Sequence, residues 1–132
     1  YSGTLSRIDI NHINEDPFVL GGIDIVPLDI IHGNMRILGY KFGSCAYITD
    51  CSDIPENTLE HLYELDVLIL NALRLDPHPT HINLEEAIGW TKRLKPKRAI
   101  LTHMTHQIDY AETSLFLPEN VELAYDGLRV KC

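Results

Sequence analysis

Asp66-Val67-Leu68-Ile69-Leu70-Asn71-Ala72 is the stretch on which the fold turns. Its apolar run is unbroken, the mark of a strand covered on both faces; a half-exposed strand would alternate. The residues after it fit that reading. Asn83 is placed to cap a helix running to about Lys95, whose end is suited by Lys92, Arg93 and Lys95 and stopped by Pro96. Ala99-Ile100-Leu101 is a short strand, and residues 110–116 form a short helix. Residues 121–125 and 128–130 make a final hairpin around Asp126-Gly127. Just upstream, Ser52-Asp53-Ile54-Pro55-Glu56 opens a helix with Pro55 in its first turn. Leu59, Leu62, Tyr63 and Leu65 give that helix an apolar stripe. Strand and helix therefore alternate through the second half, which places the chain in the α/β class with a parallel or mixed sheet. Sites in such sheets collect at the carboxyl ends of the strands.

The first half has another character. Ser6-Arg7-Ile8-Asp9-Ile10 alternates as a strand does. Gly21-Gly22 marks a turn before a strand over residues 23–31, in which Pro27 calls for an edge or a bulge. His32-Gly33-Asn34 turns again, residues 35–42 form the next strand, Gly43-Ser44 turns, and residues 45–49 form another. This is an antiparallel meander.

The totals bound the function. A chain of 132 residues with 45% hydrophobic residues builds one compact domain with a real core. A net charge of −8 argues against a basic nucleic-acid-binding face and counts mildly against long RNA. It leaves a phosphate-bearing substrate open, because bound cations reverse a local field. Three cysteines, Cys45, Cys51 and Cys132, form no disulfide framework and point to a reducing compartment, the cytoplasm. No stretch has the roughly 20 apolar residues of a membrane helix, and no membrane partner is expected. The chain opens at Tyr1 without an initiator Met, which reads as a fragment.

Polar residues stand where the strands end. His32 follows Ile31, Asp50 follows Thr49, the segment from Asn71 to His81 leaves the apolar strand, and His103 follows Leu101. If the strands run the same way, these side chains meet at one rim. His and Asp together suit zinc, iron or manganese. One carboxylate can bridge two cations about 3.5–4 Å apart. Taken singly, each has a blander reading: a hydrogen-bonded loop histidine, or an aspartate capping a turn. His12, His61 and His78 read as exposed residues of polar segments.

Four pieces, in this order and spacing, add a resemblance: Tyr47-Ile48-Thr49-Asp50-Cys51-Ser52, Thr80-His81-Ile82-Asn83-Leu84-Glu85-Glu86-Ala87, Ile100-Leu101-Thr102-His103-Met104-Thr105-His106-Gln107 and Tyr125-Asp126-Gly127. They resemble the carboxyl-terminal half of a metallo-β-lactamase-fold hydrolase. The branch is that of the phosphodiesterases accessory to carbon–phosphorus lyase, related to the tRNA 3′-processing endonucleases. The resemblance implies half of an αββα sandwich, a mixed sheet with helices on one face. It implies metal ligands at His32, Asp50 (the bridge) and His103, two divalent ions in the parent protein (zinc or manganese), and a small phosphodiester substrate. It makes His81 the non-ligand histidine that meets the scissile phosphate and protonates the leaving oxygen. Thr102, His106 and Asp126 would stand behind the ligands and orient them.

The same family carries an amino-terminal His-x-His-x-Asp-His that this chain lacks. Residues 1–132 are then the carboxyl-terminal portion of such a domain, and the chain alone would hold metal poorly and be inactive. A half sandwich leaves one apolar sheet face to be covered by the missing amino-terminal half or by a second copy. The alternative to an enzyme is an inert half domain that works as a dimerisation or partner-binding module. A hydrolase of thioesters, lactams or other esters is a third reading.

Overall fold

The computed structural model describes residues 8–131. Among them, one seven-stranded sheet runs in simple sequence order, β1 to β7. Strands β1 (Phe18–Leu20), β2 (Ile23–His32), β3 (Met35–Phe42) and β4 (Cys45–Ile48) form the antiparallel meander. From β4 onward the pairing is parallel, through β5 (Val67–Asn71), β6 (Arg98–Thr102) and β7 (Val121–Leu123). Parallel neighbours need crossovers. These are α1 (Glu56–Leu59), α2 (Leu84–Leu94) and α3 (Tyr110–Ser114).

The direction of each strand follows from the pairing. β3 opposes both β2 and β4, so β2 runs the same way as β4, β5, β6 and β7. The carboxyl ends of β2, β4, β5 and β6 therefore share one rim. Pro27 lies inside β2 without a bulge. The partner β1 reaches only to Ile25, so on that side no strand calls for the missing N–H of Pro27.

Period-2 alternation sorts the side chains. Ala46, Ile48, Leu68, Leu70, Ala99 and Leu101 point into the main core with Leu59 and Leu62 of the first crossover and Ala87 and Leu94 of α2. Cys45, Val67 and Ile100 point the other way and form a smaller cluster with Phe42, Ile69, Ala124, Leu128 and Val130. The buried helical apolar residues all belong to the first cluster, so the helices cover one face, as expected. Asn83 accepts from Glu86 N while Glu86 reaches back to the Asn83 N–H, a complete capping box that starts α2 where the sequence places it.

Four expectations need correction. The alternating segment at residues 6–10 gives no strand over Ile8–Ile10, and Ser6 and Arg7 lie outside the described residues. The first crossover helix is one turn, Glu56–Leu59; Leu62 is buried from the turns after it and Leu65 from the segment leading into β5, and Tyr63 is exposed. The final hairpin does not form. β7 pairs parallel with β6, and Leu128 and Val130 pack on the second sheet face instead of pairing with β7. Last, Cys45 is disulfide-bonded, whereas Cys51 is free and buried.

Candidate metal centre

The rim gathers the expected residues. His32 is the last residue of β2, Asp50 lies two residues past β4, and His103 immediately follows β6. His81 comes from the loop before α2, whose course is fixed by backbone bonds. Ile82 N donates to Cys51 O at 2.8 Å and Leu73 N to Ile82 O at 3.1 Å. Asp50 and His103 are both non-glycine residues at positive φ, 57° and 60°. Such backbone costs on the order of 1–3 kcal/mol per residue and persists where the surroundings impose it.

His32 donates its Nδ1–H to Thr80 O at 2.8 Å, since a carbonyl can only accept. With Nδ1–H engaged in this way, a metal would be met by Nε2, with the ring's orientation set by the carbonyl behind it. Gly33 makes this approach possible. A Cβ at that position would stand 2.8 Å from Thr80 Cγ2, and its φ of +60° is the left-handed region.

Asp50 Oδ1 is shared. His81 Nε2 lies 3.1 Å from it and His103 Nε2 lies 3.4 Å from it. The His81 and His103 rings stack with centroids 5.1 Å apart, and His32 meets His81 edge-on at 4.8 Å. Burial by itself raises the pKa of Asp50. The hydrogen bond from His81 and the charges of His103, His81 and His32 outweigh it and hold the carboxyl below its usual range. Among the described residues, His32, Asp50 and His81 each bring one ligand-capable atom within 4.8 Å of the others. His103 joins through Asp50 but lies outside that trio. Imidazole nitrogen and carboxylate oxygen suit a divalent transition metal, so the donor set fits the group that the family resemblance implies.

Of the residues placed behind the ligands, Thr102 is half-buried and its carbonyl accepts from Ala72 N at 2.9 Å. His106 is exposed, and Asp126 is exposed in the turn after β7. His12 and His61 are exposed as expected, but His78 is not a surface residue. It is half-buried, with its Nδ1 3.3 Å from that of His81, while Thr80 Oγ1 lies 2.9 Å from the same His81 nitrogen. The only hint in the sequence is the spacing of His78 and His81, three residues apart across Pro79.

Comparison with known proteins agrees with the fold. Residues 3–104 match the family model of the beta-lactamase superfamily domain. A solved structure described as a new diphosphatase from the PhnP family superposes with a TM-score of 0.91 at 40% identity, covering 94% of this chain and 49% of that one. Human tRNase Z, short form, shares the fold with a TM-score of 0.65 at 20% identity, covering 84% of this chain and 44% of that one. A Porphyromonas gingivalis (strain ATCC BAA-308 / W83) protein named octanoyltransferase is 35% identical over 114 residues, which is 85% of this chain and 23% of that protein. The chain thus spans about half of the diphosphatase and under a quarter of the P. gingivalis protein.

Proposed function

We propose a metal-dependent phosphodiester hydrolase, because this chain belongs to the beta-lactamase superfamily and its rim carries part of the residue set such an enzyme needs. The observation that carries the reading is that His81 and His103 both face Asp50 Oδ1, while His32 stands edge-on to His81 with a ligand-capable atom within 4.8 Å of those of Asp50 and His81. The similarity to a PhnP-family diphosphatase supports a phosphorus centre over a thioester or lactam.

Divalent cations, two of zinc or manganese, would polarise the phosphate and lower the pKa of water. The residues of this chain do the rest. His32, held by Thr80 O, presents Nε2 toward the rim. Asp50 supplies a carboxylate kept ionised by its histidine neighbours. His103 faces the same carboxylate from the end of β6. His81 holds a proton on Nε2, aimed into the site, and donates it to the leaving oxygen. A net charge of −8 does not prevent phosphate binding when cations make the contact.

The reading includes a second half. The His-x-His-x-Asp-His cluster does not stand in this chain, and metal sites want three or four protein ligands. We assign the remaining ligands to an amino-terminal half seated on the second sheet face, where Ile69 is half-buried and Tyr47 is 43% exposed. The same apolar face favours the rival reading of an inert half that pairs with a second copy. Among the described residues, no helix is long and apolar enough to cross a membrane. The cytoplasm is the compartment inferred from the cysteine count, and the Cys45 disulfide weighs against it.

Hydrolysis of bis(p-nitrophenyl) phosphate by the whole protein, with and without a chelator, tests the proposal. Chelator-sensitive turnover lost in Asp50→Asn supports it. A metal-loaded protein that cleaves only thioesters or lactams overturns the choice of substrate.

A further inference from the structure

We propose that Asn71 is the residue that positions Asp50, an inference that rests on reading Asp50 as a ligand. Asn71 ends β5, a strand otherwise made of Val, Leu and Ile, and it is fully buried. An amide in such a place is tolerated only when its polar atoms are bonded. Both ends of this one are bonded, and to the same residue. The Cys51 N–H donates to Asn71 Oδ1 at 2.8 Å, and Asn71 Nδ2 donates to Cys51 O at 3.1 Å.

The place of this pair explains its use. The β4–β5 ladder ends at Ile48↔Leu70. Two residues on, Asp50 adopts φ 57°, and its backbone leaves the sheet. The Asn71 side chain then takes the part a neighbouring strand would have played, satisfying both backbone groups of the buried Cys51. The carbonyl it holds also accepts from Ile82 N at 2.8 Å. One side chain thus ties the segment bearing Asp50 to β5 and, through a shared acceptor, to the segment bearing His81. An apolar residue of the same size would fill the space but leave the Cys51 N–H unpaired inside the core.

The test is zinc titration of the metal-stripped whole protein, compared across Asn71→Leu, Asn71→Asp and Thr58→Val. Thr58 is buried and donates to Asp29 O at 2.7 Å, so Thr58→Val removes a core hydrogen bond away from the Asn71–Cys51 clamp. Asn71→Leu is expected to weaken zinc binding by about tenfold or more, the range seen when a group behind a ligand is lost. Asn71→Asp, which keeps the acceptor for Cys51 N–H, is expected to lose less, and Thr58→Val to stay within about threefold of the parent. Zinc affinity unchanged in Asn71→Leu would overturn the inference. Should that variant fail to fold, hydrogen exchange on the parent decides. The Cys51 amide should be as protected as that of Leu70 without metal, and exchange at a loop-like rate would overturn the clamp. Both readouts are independent of substrate. A parent that binds zinc but leaves phosphodiesters intact would reject the proposed activity and leave the role of Asn71 standing.

Discussion

Oδ1 of Asp50 lies 3.1 Å from Nε2 of His81, a contact between residues 31 positions apart that brings two loops of the rim together. The carboxylate can only accept, so the proton sits on His81 Nε2. Thr80 Oγ1, 2.9 Å from Nδ1, backs the other side of the ring. The ring is thus oriented as a donor. His81→Ala is expected to lower phosphodiester turnover by about 10²–10⁴-fold, the usual worth of a positioned general acid. Metal content should stay at the parent level. A matching loss of metal would make His81 a ligand and move the acid role elsewhere.

Gly33 lies in the turn between β2 and β3, packed against Thr80 of the loop that orients His32. Gly33→Ala forces a left-handed alanine, at a cost of roughly 1–2 kcal/mol. Its Cβ also meets Thr80 Cγ2 at 2.8 Å. A Tm lowered by a few degrees is expected, together with weaker metal binding as Thr80 O withdraws from His32. A variant with the parent Tm and parent affinity would contradict this role.

Asn83 caps α2 directly after the loop that carries His81. Asn83→Ala removes one arm of the capping box and costs about 1 kcal/mol. Denaturant unfolding should show a lower midpoint at unchanged slope. An unchanged midpoint would mean that the cap contributes nothing.

Cys51 is fully buried, and burial, with the nearby Asp53 charge, pushes its pKa from 9.0 up to about 12. The Sγ–H donates to Asp53 O at 3.4 Å, a bond that only the protonated thiol can make. The unfolded chain ionises this thiol first. Its contribution is therefore complete below pH 9.0 and lost as the pH climbs toward 12. The slope is about 1.4 kcal/mol per pH unit. Cys51→Ala should flatten the alkaline fall in stability of the metal-free protein by that amount. An identical alkaline profile in the two proteins would refute the shift.

The rim is legible in the sequence because it depends on strand ends. The unbroken run Val67–Leu70, the Asn83 cap and the Pro96 stop fix where β5 and α2 begin and end, and His103 follows β6 as a consequence. The closing hairpin is misread because Asp126-Gly127 is a turn signal whatever lies beyond it. Leu128 and Val130 are drawn to the second sheet face by Val67 and Ile100, contacts that no local pattern encodes. The same holds for His78 and Asn71, whose partners His81 and Cys51 are set by the tertiary course of two loops. A one-turn α1 is hidden in the pattern because Leu62 and Leu65 keep helical spacing while packing from outside the helix.

The decisive measurement is the metal content per chain of the whole protein and of its Asp50→Asn variant, taken alongside phosphodiester turnover. About two divalent ions per chain are expected, as in binuclear hydrolases, with both metal and turnover lost in the variant. A whole protein that carries the His-rich half, is saturated with zinc or manganese in the medium, and retains neither metal nor activity would contradict the proposed function.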